Sequence, residues 1–117
     1  MTVEEISRRA KEKFIKAKKE FKDGDFFKIA TKGATLAIGC FKSIDSDSYG
    51  VEIYCYFIYL LLCNSTDINL SFKINFDEMD FIKASPRETM FAVDKLKNRG
   101  NYYDRRARKV KVIGKQV

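Results

Sequence analysis

The residues with the clearest chemical potential lie in the closing segment, residues 98–117, of a single predicted domain that spans residues 1–117. The closing segment contains seven arginines and lysines, two adjacent tyrosines and one aspartate. Arginine can pair bidentately with phosphate, and tyrosine rings can stack on nucleic-acid bases. The segment therefore predicts binding to the phosphate backbone of DNA or RNA. The predicted contacts are Arg99, Tyr102, Tyr103, Arg105, Arg106, Arg108, Lys109 and Lys111.

Net charge changes sign twice along the chain. Residues 1–42 carry eleven basic and six acidic side chains, residues 43–82 carry one basic and seven acidic, and residues 83–117 carry eleven basic and three acidic. If the two basic ends meet in the fold, they form one positive face that attracts phosphates or an acidic protein. If they do not meet, they are two solvated basic surfaces, and the tyrosines can pack on the core. The residues of the first end that would extend the nucleic-acid contacts are Arg8, Arg9 and Lys16.

Catalytic chemistry has few candidates in this sequence. There is no histidine, which excludes the commonest general base and the histidine-activated serine and cysteine nucleophiles. Cys40, Cys55 and Cys63 form no CxxC pair and lie among apolar residues, which indicates buried free thiols rather than a zinc site. We therefore expect no catalytic residue, no metal site and no cofactor.

Two helices are predicted from apolar periodicity and end signals. Apolar residues recur every three or four positions from Val3 to Phe21, after a capping box that begins at Thr2, and Gly24 ends this helix. A second capping box, Ser85-Pro86-Arg87-Glu88, places proline at the first helical position, and Gly100 suits the end of that helix.

The region between the helices predicts strands. Gly50 to Leu62 is apolar on both faces, and Ile68 to Phe76 alternates apolar and polar residues, so the two should form an antiparallel hairpin. Residues 26–41 fit either a helix or a strand, and a strand from Ala34 to Lys42 is favoured. Lys109 to Val112 alternates like an edge strand guarded by lysine. The predicted fold is α+β, with the order α-β-β-β-α-β and an antiparallel sheet of three to four strands flanked by two helices.

This order resembles the core of the PD-(D/E)xK nuclease superfamily. In that family one acid lies on the second strand, and an acid-x-lysine triplet lies on the third. The resemblance implies Glu52 as the first acid and Lys73 as the lysine. Ser71 stands where the family has its second acid, so a single carboxylate would hold the metal. The resemblance therefore implies a degenerate nuclease fold rather than a working Mg²⁺-dependent nuclease.

The first five elements also resemble the double-stranded-RNA-binding domain, α-β-β-β-α. In that family lysines at the start of the second helix bind phosphates across the major groove. The matching position here is Ser85-Pro86-Arg87-Glu88, where only Arg87 is basic and Glu88 would repel phosphate. The glycine-rich approach to that helix is missing as well, so membership of this family is not predicted.

Together these features predict a small basic non-catalytic protein that binds nucleic acid. The alternative is an inhibitor or adaptor of phage or mobile-element type that binds a host protein, either through the acidic residues 43–82 or by docking its basic segment on an acidic surface. The chain lacks a signal-peptide core and an apolar run long enough to span a bilayer, which predicts a cytoplasmic protein without a membrane partner. An exposed edge strand would also allow a homodimer.

Overall fold

The computed structural model describes residues 3–47 and 50–114, which form two helices and seven strands. The helices are α1 (Val3–Glu20) and α2 (Pro86–Asn98). The strands of a large sheet are β1 (Phe26–Thr31), β2 (Ala34–Asp47), β3 (Gly50–Leu60), β4 (Ser65–Ile74) and β5 (Asp80–Lys83). The strands of a separate two-stranded hairpin are β6 (Asn101–Asp104) and β7 (Lys109–Val112).

The large sheet has the strand order β4-β3-β2-β1-β5, and all its pairs are antiparallel. Strands β1 to β4 follow one another as a meander. Its first turn contains Lys32 and Gly33, with φ angles of 50° and 80°. Two successive residues with positive φ make a tight turn whose twist matches that of the flanking strands. After β4 the chain crosses back over the sheet, so that β5 pairs with β1.

Each face of the large sheet is covered by a different part of the chain. On one face, Ala17 of α1 and Phe21 just after the helix pack on a cluster that includes the fully buried Phe27. On the other face, Leu96 of α2 and Tyr103 of β6 pack on a second cluster that includes the fully buried Phe57. The domain therefore has three layers: α1, the sheet, and a layer formed by α2 and the β6–β7 hairpin.

The predicted α+β class, with two helices flanking an antiparallel sheet, is confirmed. The predicted hairpin of two long strands is also present as β3 and β4, which pair from Val51–Ile74 to Leu60–Ser65. The large sheet has five strands rather than three to four, because Phe26–Thr31 and Asp80–Lys83 belong to it as well. The strand predicted at Lys109–Val112 is present as β7, but it pairs with β6 in the separate hairpin and is not an edge of the large sheet. Residues 26–41 are not helical: they form β1, a tight turn and the first part of β2.

The structure shows the predicted start of α2 and the glycine predicted to follow α1. Ser85 caps α2 through a complete capping box, in which Ser85 Oγ accepts from the Glu88 amide and a Glu88 carboxylate oxygen accepts from the Ser85 amide. Gly24 follows α1 with a φ of 94°, in the left-handed region. The cap predicted at Thr2 lies outside the described residues. No helix within residues 3–47 and 50–114 is long and apolar enough to cross a bilayer.

The prediction that all three cysteines are buried is wrong for one of them. Cys40 and Cys55 are buried on β2 and β3, whereas Cys63 is exposed. Cys63 lies in the turn between β3 and β4, after the last residue of the central strand, so its apolar sequence neighbours do not enclose it.

Candidate nucleic-acid interface

The β6–β7 hairpin presents basic side chains at its tip. The two strands pair from Asn101–Val112 at the open end to Asp104–Lys109 at the tip, and residues 105–108 form the turn. Five successive residues, from Arg105 to Lys109, are exposed, and four of the five are basic. The four basic side chains, Arg105, Arg106, Arg108 and Lys109, are contacts predicted from the sequence. The structure brings them together at one end of the hairpin.

Asp104 holds the turn in shape. Its Oδ1 accepts hydrogen bonds from the backbone amides of Arg106 at 3.0 Å and Ala107 at 3.1 Å, and its Oδ2 lies 2.6 Å from Lys111 Nζ. The hydrogen bond from Lys111, followed by that from the Ala107 amide, lowers the pKa of Asp104 to about 2. Arg108 has a φ of 52°, which completes the reversal of the chain. Because Lys111 is paired within the hairpin, its charge is largely compensated.

Tyr103 anchors the hairpin to the sheet. Its ring is half-buried and lies 5.0 Å from the ring of Tyr56 and 6.3 Å from that of Phe57, measured between centroids. Burial raises the pKa of Tyr103 to about 12. Val110 of β7 packs against the same cluster. Tyr103 is therefore part of the core and is not placed as an open stacking surface, as the alternative drawn from the sequence allowed.

An ion pair fixes the tip to the turn after α1. Arg108 Nη1 lies 3.2 Å from Asp23 Oδ2, and Asp23 Oδ1 accepts a hydrogen bond of 2.7 Å from the hydroxyl of Tyr56. The Arg108 side chain is still 66% exposed, so its guanidinium remains accessible to a ligand while it is held in place.

A cleft of about 450 Å³ opens beside the tip, between the α1–β1 turn, the β5–α2 turn and the hairpin. Arg105 and Arg108 line it on one side. On the other side Lys83 lies 2.6 Å from Asp25, so the cleft contains two acid-base pairs and the further cation of Arg105. Sequence reasoning missed Asp23, Asp25 and Lys83 as site residues, because no local pattern joins positions 58 or 85 residues apart.

Tyr102 and Arg99 lie away from the tip. Tyr102 is 38% exposed and lies opposite Lys111 in the hairpin, so its ring is the more accessible of the two adjacent tyrosines. Arg99 ends α2 and lines a different opening, together with Tyr59 and Lys95. At about 3.3 Å per residue, the four-residue β6 separates the two ends of the hairpin by roughly 10 Å. One extended ligand could reach both ends, but they do not form one pocket.

The basic residues predicted on the first helix are not part of this surface. Arg8 and Arg9 are exposed on α1, and Lys16 lies 3.9 Å from Glu20 one turn further along. α1 covers the opposite face of the sheet from the hairpin. The structure therefore does not bring Arg8, Arg9 and Lys16 together with the hairpin tip.

The residues implied by the nuclease resemblance do lie side by side. Glu52 of β3 and Lys73 of β4 are cross-strand partners. The Glu52 carboxylate accepts hydrogen bonds from the Tyr54 hydroxyl at 3.2 Å and the Ser71 hydroxyl at 3.1 Å. Asp45 of β2 is its cross-strand partner on the other side. Among the residues that the structure describes, no group of three or more metal-ligating side chains is present.

No family model matches the chain, and comparison with curated proteins and with solved structures gives no match either.

Proposed function

We propose that the protein binds the phosphate backbone of nucleic acid, without catalysis, through the tip of the β6–β7 hairpin. The observation that carries the proposal is the run of five exposed residues, Arg105 to Lys109, of which four are basic. Arginine is well matched to phosphate because its planar guanidinium can donate two parallel hydrogen bonds. A β-ribbon is one of the elements that protein folds use to approach nucleic acid.

Preorganisation of the tip supports the same function. The turn is closed by three contacts to Asp104, and Arg108 is tethered to Asp23 on the body of the domain. Basic side chains on a fixed turn lose less conformational freedom on binding than those on a loose tail. Exposed Tyr102 on the adjacent strand offers one aromatic ring for stacking, which favours a strand with accessible bases.

Binding is tested with labelled single-stranded and duplex DNA and RNA, by fluorescence anisotropy at about 50 and about 200 mM salt. If the four basic residues neutralise four phosphates, log affinity should fall against log salt with a slope of about −4 on duplex DNA. The double variant Arg105→Ala/Arg106→Ala should weaken binding to all sequences and reduce the slope by about 2. Arg108 is left unchanged because its loss would also break the ion pair with Asp23.

The matched control is Lys11→Ala/Lys19→Ala, which removes two exposed charges from α1 on the other side of the sheet. This control should keep most of the affinity and nearly the whole salt slope. Absence of binding at the lower salt concentration would refute the proposal. If the Arg105→Ala/Arg106→Ala variant and the wild type bound nucleic acid with equal affinity, the hairpin tip would not be the binding surface. The inhibitor or adaptor that binds a host protein would then be the function to test, by affinity capture with a cell extract.

A further inference from the structure

The two edges of the large sheet differ in what they leave unpaired. β5 forms one edge and has only four residues, whereas β4 forms the other edge and has ten. Within residues 3–47 and 50–114, β4 pairs with β3 alone. A long edge presents a row of backbone donors and acceptors that can pair with another strand. The β4 edge is therefore a surface to which a further strand can add.

Asn69 divides this edge into two parts. Its φ of 50° lies in the left-handed region and interrupts the regular alternation of the strand. Before it, Ile68 packs with the cluster under α2, whereas Leu70 after it packs with the cluster under α1. The regular part of the edge is therefore the five residues Leu70–Ile74. In this part Leu70, Phe72 and Ile74 face the α1 side, and the exposed Ser71 and Lys73 face the other side.

The α1 side of this edge carries an uncovered apolar groove of about 510 Å³. The helix covers the end of the sheet near Phe76, and the groove begins where this cover stops. Leu62 at its rim is 89% exposed, and Phe72 lines it at the β4 edge. Contiguous apolar surface of this kind marks an interaction site. The other residues of the groove used here are Leu36, Leu60, Leu70 and Met79.

We propose that the occupant of this edge is a second copy of the chain, paired antiparallel through Leu70–Ile74 about a twofold axis at Phe72. In this register Phe72 lies opposite Phe72 of the partner subunit. Leu70 lies opposite Ile74 of the partner subunit, so that apolar residues meet on the groove side. The two sheets join into one of ten strands, and the two grooves become neighbours on one face.

Charge complementarity selects a second copy over an unrelated strand. In the proposed register Ser71 lies opposite Lys73 of the partner subunit. Ser71 donates a hydrogen bond to Glu52, so the partner's ammonium group arrives beside the Glu52 carboxylate. Because a twofold interface is self-complementary, the same Glu52–Lys73 attraction occurs twice. This dimer is independent of nucleic-acid binding, since β4 and the hairpin tip share no residue.

Sedimentation velocity over a concentration series tests the proposal. The wild type should reach the mass of two chains as concentration rises. Lys73→Glu places a second carboxylate beside that of Glu52, both within each protomer and across the interface. The protein concentration at which the dimer dissociates should therefore rise at least tenfold. The exchange Glu52→Lys/Lys73→Glu restores both attractions and should restore the dimer. Lys19→Glu makes the same charge change in the last turn of α1 and should dimerise like the wild type.

Disulfide trapping tests the register directly, in a Cys63→Ser background that removes the exposed native thiol. Directly opposed residues of antiparallel strands have Cβ atoms about 4.5–5.5 Å apart, which is close enough for a disulfide after a small adjustment. Phe72→Cys should therefore crosslink to its own copy on mild oxidation. The double variant Ser71→Cys/Lys73→Cys changes only exposed residues and should also crosslink, between position 71 of one copy and position 73 of the other. It replaces the Phe72→Cys test if loss of Phe72 weakens the fold.

Ser65→Cys, at the other end of β4, is the control and should form no intermolecular crosslink under the same oxidation. A protein that stays monomeric at every concentration would overturn the proposal. A dimer that Lys73→Glu leaves intact, or that crosslinks equally well through Ser65→Cys, would show that a different surface joins the two copies and would overturn it too.

Discussion

The guanidinium of Arg108 lies 3.2 Å from the carboxylate of Asp23, across 85 positions of sequence. The same carboxylate accepts the hydroxyl of Tyr56, whose side chain is 4% exposed. Burial, followed by the hydrogen bond to Asp23, raises the pKa of Tyr56, so its hydroxyl stays protonated and donates. Asp23 thereby connects the turn after α1, the central strand β3 and the tip of the hairpin.

Replacing Asp23 should therefore destabilise the whole domain. Asp23→Ala leaves the buried Tyr56 hydroxyl without its acceptor, and an unsatisfied buried polar group costs about 1–3 kcal/mol. Urea unfolding followed by circular dichroism measures the loss in the free energy of unfolding. Asp94→Ala, which removes an exposed carboxylate from α2, is the matched control and should change stability by no more than about 0.5 kcal/mol. Combining Asp23→Ala with Tyr56→Phe should cost less than the sum of the single changes, and strict additivity would contradict the role given to this hydrogen bond.

The hairpin turn should respond to acid at an unusually low pH. The pKa of Asp104 is lowered from 3.8 to about 2, chiefly by Lys111, so its carboxylate stabilises the folded turn fully above pH 3.8. That contribution should be lost as the pH falls from 3.8 through about 2. The amide chemical shifts of Arg106 and Ala107, which donate to Asp104, should titrate with a midpoint near 2. Asp104→Asn should abolish this titration, whereas a wild-type midpoint near 3.8 would show that Lys111 does not hold the carboxylate.

Only one of the three cysteines, Cys63, should react with a thiol reagent while the protein is folded. Burial raises the pKa of Cys40 to about 12 and also raises that of Cys55. At pH 8 only about one Cys40 thiol in ten thousand would be the reactive thiolate even without its steric protection. A thiol reagent such as Ellman's should therefore modify one cysteine, Cys63, in the folded protein and all three in denaturant. Cys63→Ser should remove the fast reaction, and a second fast thiol in this variant would contradict the burial of Cys40 and Cys55.

The sequence allows prediction of those elements whose signals are local. The strand predicted from alternation and the capping box at Ser85 each use residues within one element, and both the strand β4 and the capping box are confirmed. The alternation itself holds from Leu70 to Ile74, because Asn69 turns Ile68 to the other face. The pair β1–β2 is harder to recognise, because Ala30, Ala34 and Ala37 recur at helical spacing while the turn is Lys32-Gly33 rather than an asparagine-glycine pair. Tertiary pairing overrides the local preference there.

The candidate interface is predictable only in part for the same reason. The basic run from Arg105 to Lys109 is visible in the sequence, and the exposure of these side chains follows from a hairpin turn that Asp104 closes. The burial of Tyr103 rather than Tyr102 depends on which strand face meets Tyr56, and that is decided by packing. Adjacent positions on a strand point to opposite faces, so one of two neighbouring tyrosines is buried and the other is left exposed.

The order in which the layers occur along the chain has a consequence for synthesis on the ribosome. Every strand of the large sheet, together with α1, has been made once Lys83 has left the exit tunnel. The cluster around Tyr56 and Phe57 gains its cover only when α2 and the β6–β7 hairpin follow. Until then a nascent chain with a finished sheet exposes one aromatic face, where a chaperone can bind. A stop codon just after Asn98 would leave Tyr56 without Tyr103 and so favour degradation of the product.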